Sequence, residues 1–90
     1  LLSDEANILG DLTKKNLSCI TLNNLGCFYK KLNYDRVALK HFMQVLALET
    51  LLNVNTISLV STMLNICANL SKTNKHMEAL TYAKRSITLL

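Results

Sequence analysis

Proline and tryptophan are absent from this 90-residue chain, and glycine occurs twice, at Gly10 and Gly26. A turn-rich all-β domain depends on such residues at its reversals, so that class is excluded, while long helices tolerate the lack. Acidic residues number six, too few for much acid–base chemistry. No paired carboxylates at a workable spacing, no Ser-His-Asp order and no Gly-rich phosphate loop appear. The chain therefore reads as non-enzymatic. Cysteine is present three times, at Cys19, Cys27 and Cys67, an odd number without a CxxC pair. That argues against a disulfide framework or a zinc site, and each cysteine lies in an apolar stretch, as small buried thiols of a reducing cytoplasm do. His41 and His76 stand apart from any ligand-spaced cluster and read as surface histidines, so no metal and no cofactor is expected. No apolar run approaches the ~20 residues of a membrane span, and the Leu-Leu start lacks a signal-peptide layout, so no membrane role is expected. The net charge is +4, with no run of four basic residues. Nucleic-acid modules mass their charge on one face, which leaves RNA binding a distant third among the functional readings.

What the chain does have is a sentence written twice. Residues 19–49 and 60–90 align without a gap at an offset of 41, placing Thr21 on Thr62, Asn24 on Asn65, Lys31 on Lys72, Asn33 on Asn74, Ala38 on Ala79, Leu39 on Leu80 and Leu48 on Leu89. Leu22/Met63, Leu25/Ile66 and Leu46/Ile87 are near-matches. A fixed period of this length marks stacked helical units. Such an array needs roughly three repeats to bury its faces, and about two fit here. Together with the absent initiating Met, this makes the chain readable as a fragment of a longer array.

Apolar periodicity and boundary residues divide the chain further. Segment 3–15 has Ser3, Asp4 and Glu5 as a start signal and Ala6, Leu9 and Leu12 on one face. Asn16 or Ser18 is expected to cap a second helix carrying Ile20, Leu22, Leu25, Gly26, Tyr29 and Leu32. Asn33 is expected to cap a third helix, to about Leu52, with Ala38, Leu39, Phe42, Val45, Leu46 and Leu48 inward. Asn55 or Thr56 caps a fourth, over about 57–71, bearing Leu59, Val60, Met63, Leu64, Ile66, Cys67 and Leu70. Asn74 caps a fifth with Met77, Ala79, Leu80, Ala83, Ile87 and Leu90. Asparagines at boundaries satisfy orphan backbone groups. Asn7, Asn23, Asn24, Asn65 and Asn69 fall inside helices, where Asn costs several tenths of a kcal/mol relative to Ala.

The series Leu22, Leu25, Gly26, Tyr29, Ala38, Phe42, Val45, and its weaker echo Met63, Ile66, Cys67, Leu70, Ala79, Ala83, Ser86, resembles the tetratricopeptide repeat (TPR). The resemblance covers about residues 18–90. Small residues at Gly26 and Cys67, with Ala38 and Ala79 facing, suit the crossing of two helices. The usual repeat is 34 residues long, so seven extra residues, about two turns, must fall between Val45 and Met63. The string LNNLGCFYKKLNYDRVAL is similar to the long repeats of kinesin light chains.

The resemblance implies an all-α fold of antiparallel helix-turn-helix repeats stacked as a short α-solenoid of about five helices. Its units would be 1–16 (the end of a preceding unit), 17–52 and 53–90. It implies a scaffold segment making protein–protein contacts with neighbouring subunits of a larger assembly, in a cytoskeletal or ciliary setting by analogy. The alternative is an adaptor whose concave first-helix groove takes an extended peptide. In that groove the resemblance places Asn23, Asn24, Cys27, Lys30 and Lys31 from the first unit and Leu64, Asn65, Ala68 and Lys72 from the second. An amide both donates and accepts, so it can grip a main chain without reading side chains. The plainer reading of Asn24 and Asn65 is a solvated Asn on an exposed face, and that of the lysines is complementation of helix C-termini.

Overall fold

The computed structural model describes residues 2–90 and contains, among them, four helices and no strand. They are α1 (Leu2–Lys31), α2 (Asp35–Leu52), α3 (Thr56–Lys72) and α4 (His76–Leu89). The start signal at Ser3 and the apolar side chains of Leu1 and Leu2 lie outside the described side chains. Three-residue connections at 32–34, 53–55 and 73–75 fold consecutive helices back on one another. Each packs on its neighbours in the chain, α1 on α2, α2 on α3 and α3 on α4. The molecule is a slab of 51 × 30 × 14 Å with a radius of gyration of 14.7 Å. A compact domain of this length would measure about 12 Å.

The expected break near Asn16 does not occur, and the helix count is four rather than about five. α1 runs unbroken for 30 residues. Thr13 Oγ1 donates to the Leu9 carbonyl at 2.9 Å and Ser18 Oγ to the Lys14 carbonyl at 3.0 Å. Both hydroxyls thus bond back into the helix instead of capping a new one. With no proline and no left-handed residue in the stretch, nothing stops the helix. Segment 1–16 and the first helix of unit 17–52 are therefore continuous, and the half from Asp4 to Lys14 is exposed throughout.

Asn33 and Asn74 also act differently from expectation. They are not N-caps but left-handed residues that end the preceding helix, with φ of 64° and 65°, and Asn53 does the same at 51°. Each closes an identical pair of bonds. Asn33 N–H donates to Lys30 O and Tyr34 N–H to Tyr29 O, and Asn74 and Lys75 repeat this on Ser71 and Leu70. Asn53 and Val54 do so on Thr50 and Glu49. This is the Schellman closure, and Asn takes it because its side chain tolerates the left-handed region best after glycine. The starts of α2 and α4 carry no side-chain cap. Asn55 caps α3 as expected, its Oδ1 accepting the Ser58 N–H at 2.9 Å.

The core lies among α2, α3 and α4, with Ala38, Phe42, Leu46, Met63, Ile66, Leu70 and Ala79 at its centre. Leu39, Leu59, Cys27, Cys67, Tyr29 and Tyr82 pack around it. Gly26 is buried where α1 crosses α2, and an added Cβ there would sit 2.7 Å from the Phe42 ring. The expectation of a small residue at this crossing is met, with Phe42 as its close neighbour. His41 is not simply a surface histidine. It is half-buried, its Nδ1 is 2.8 Å from the Val37 carbonyl, and its ring stacks on Tyr29. Asn69 is buried with neither amide nitrogen nor oxygen bonded. Leu64, Met77, Leu80, Ile87 and Leu90, assigned to inward faces, are exposed.

Candidate functional site

The extra residues of the long repeat help to build a polar recess. α2 continues about two turns past Val45 to Leu52, and α3 begins about two turns before Met63. Val45 and Glu49 from α2, Val54 from the connection, and Ile57, Ser58, Ser61 and Thr62 from α3 form one wall and the floor of a cleft of about 530 Å³. Asn16, Cys19, Ile20, Asn23 and Asn24 of α1 form the other wall. Four of these five α1 residues follow Asn16, so this wall is built by the part of α1 that packs on α2.

Glu49 is the centre of the site. It is 7% exposed, and Thr62 Oγ1 donates to its Oε1. Burial pushes its carboxyl above the ordinary value, and the Thr62 hydrogen bond partly offsets this. The Cys19 thiol is pushed up as well, first by burial and then by the nearby Glu49 charge. A thiol so shifted is a weaker nucleophile at neutral pH than an ordinary cysteine. The cleft offers one buried carboxylate, amides and hydroxyls around it, and apolar walls at Ile20, Val45, Val54 and Ile57.

Of the residues the sequence placed in a groove, Asn23 and Asn24 line this cleft. Cys27 packs against the core. Lys30 and Lys31 lie in the last turn of α1. Leu64 and Ala68 are exposed and Asn65 half-buried on α3, and none of the three lines the cleft. Lys72 is engaged elsewhere, its Nζ 2.8 Å from Asn33 Oδ1 and 3.2 Å from Asp35 Oδ1. It ties the α1–α2 connection to the end of α3. The residues that sequence reasoning missed are Glu49, Thr62, Cys19 and Asn16. A signal for Glu49 was present: it continues the inward series Phe42, Val45, Leu46 at helical spacing, and its counterpart one repeat later is Leu90.

Among the described residues no three His, Cys, Asp or Glu side chains gather as a metal site, and no helix is long and apolar enough to cross a membrane. No family model, curated protein or solved structure matches this chain.

Proposed function

We propose that this chain is a segment of a TPR-like helical array that serves as a non-enzymatic scaffold, joined to protein neighbours through the open faces of α1 and α4. One observation carries the reading. At the internal α2–α3 joint, Leu46 is 6% and Ile66 0% exposed. Their counterparts one repeat away are more open: Ile87 on α4 is 71% exposed and Leu25 on α1 37%. The same holds for Asn69, fully buried, against Phe28, 55% exposed. α4 thus presents the side that α2 uses to receive the next helix, and α1 presents the side that α3 uses to receive the previous one. Open apolar faces of this kind mark sites of protein contact, and units stacked by nearest-neighbour contacts are the logic of helical arrays.

Lysine crosslinking of the intact assembly, read by mass spectrometry, tests this. Links from Lys84 on α4 and from Lys14 or Lys15 on α1 to neighbouring helical segments are the expected result. Links confined to Lys30 and Lys31, to an extended peptide, would replace the scaffold by the second reading. That reading is a peptide-binding adaptor, favoured by the cleft that Asn23 and Asn24 share with Glu49.

A further inference from the structure

The molecule carries an excess of cations, yet no Lys, Arg or His lines the α1–α3 cleft. Its titratable groups are Glu49 and Cys19 alone. Thr62 occupies Glu49 Oε1, while Oε2 has no donor among the described residues and is not sealed from the cleft. A buried carboxylate with one oxygen bonded and the other open is an unfinished arrangement, because burying a charge is costly until it is paired. We propose that the cleft receives an arginine side chain of a partner polypeptide, its guanidinium completing Glu49 Oε2.

Each property of the cleft selects that occupant. A volume of about 530 Å³ lies within the ~300–1,000 Å³ of pockets that enclose small groups. Ile20 and Ile57 supply apolar wall for the aliphatic stem, which arginine and lysine both lay along such surface. Guanidinium is more weakly hydrated than ammonium and carries five fixed donors. Besides Glu49 Oε2, the side-chain oxygens of Asn23, Asn24, Ser58 and Ser61 are acceptors for the remaining N–H groups. A metal ion has no second and third ligand here, and phosphate of any source meets a negative charge. The amides of Asn23 and Asn24 can also bond the main chain of the residue that carries the arginine, which favours a polypeptide over a free amine. The inference rests on the second reading above, that the α1–α3 side takes a peptide, and is independent of how the end faces are used.

The test is an amide-resolved NMR titration of the full chain with acetyl-Ala-Arg-Ala-amide, its Lys and Glu analogues, acetyl-tri-alanine-amide, arginine methyl ester and spermidine. Saturable shifts at Asn16, Cys19, Asn23, Ser58 and Thr62 with the arginine peptide, strongest among the probes, are expected. Glu49→Gln keeps the shape and the Thr62 contact, and should weaken that binding by about tenfold or more, as loss of one member of a buried charge pair does. Equal binding to Glu49→Gln, or equal competition by spermidine or the lysine peptide, overturns the arginine assignment. If tri-alanine or the glutamate peptide binds as well, the peptide groove survives and the arginine site falls. If arginine methyl ester binds as tightly as the peptide, the polypeptide partner falls. If no probe gives saturable shifts, the groove reading falls with it.

Discussion

At Gly26 an added Cβ would meet three atoms of the Phe42 ring at 3.0 Å or less, and at Gly10 it would meet nothing within 4 Å. Both glycines lie in α1, so the same substitution should act with opposite sign. Gly26→Ala pushes against a fully buried ring that has no room to yield, and overpacking of this kind costs about 1–3 kcal/mol. Gly10→Ala removes the backbone entropy of an exposed helix-interior glycine and stabilises the first half of α1 by about 0.5–1 kcal/mol. Urea unfolding reads the first, and slower amide exchange between Asp4 and Asn16 reads the second. A Gly26→Ala protein with an unchanged unfolding midpoint would show that the helices do not cross there. Glu49 is a second residue whose environment sets a sign. Its carboxyl titrates above its ordinary 4.5 in the folded chain, so the folded state holds its proton to higher pH than the unfolded state does. Stability from this group is then fully present below the unfolded value and is lost as pH rises through the folded one. Glu49→Gln removes that dependence. The variant should match the wild type in acid and exceed it in thermal stability at neutral pH. A wild type that gains stability relative to the variant as pH rises would refute the burial argument.

At the scale of elements, the regular parts were legible in the sequence and the boundaries were not. α2 and α3 could be placed to within a few residues because their apolar positions recur at helical spacing and because the 41-residue offset ties α2 to α4 and α3 to the second half of α1. The same offset located the extra turns that now frame the cleft. The missed features share a physical cause. An asparagine between two helices is compatible with an N-cap of the second or a left-handed end of the first, and only the backbone angles decide. Asn16 resembled Asn33 in composition of its surroundings, yet one continues a helix and the other ends it. Glu49 was passed over because an acid on an inward stripe reads as an interruption of the core, until the hydrogen bond from Thr62 and the facing wall at Cys19 give it a site. The left-handed ends give a prediction of their own. A β-branched residue at Asn33 must adopt φ near 64° against its Cβ, so Asn33→Val should cost about 1–2 kcal/mol, while Asn33→Gly should be neutral or stabilising. Circular-dichroism melts of the two variants separate them. Equal melting temperatures would mean that the α1–α2 connection relaxes to another conformation in the valine variant, despite the Lys72–Asp35 ion pair that both variants keep.

For the whole molecule, the proposed reading makes the two end faces counterparts of each other. The joint inside the chain, α2 against α3, is an example of how α4 of one copy would receive α1 of another, because the repeat register makes α4 the counterpart of α2 and α1 the counterpart of α3. Such a contact uses two different surfaces and does not close on itself, so it propagates rather than stopping at a dimer. The isolated chain should therefore associate end to end as its concentration rises, with no single limiting mass in sedimentation equilibrium. Phe28→Glu on α1 blocks one face and Ile87→Glu on α4 the other. Both residues are exposed, so neither change should move the unfolding midpoint by more than about 0.5 kcal/mol. Each variant alone should be monomeric. Mixed, the two should form a dimer and go no further, since one retains only an α4 face and the other only an α1 face. A symmetric association through one face, by contrast, would be abolished only in the variant whose own face is altered and would persist in the other. Recovery of dimer on mixing is thus specific to head-to-tail stacking, and its absence while the wild type still associates would assign the contact to some other surface.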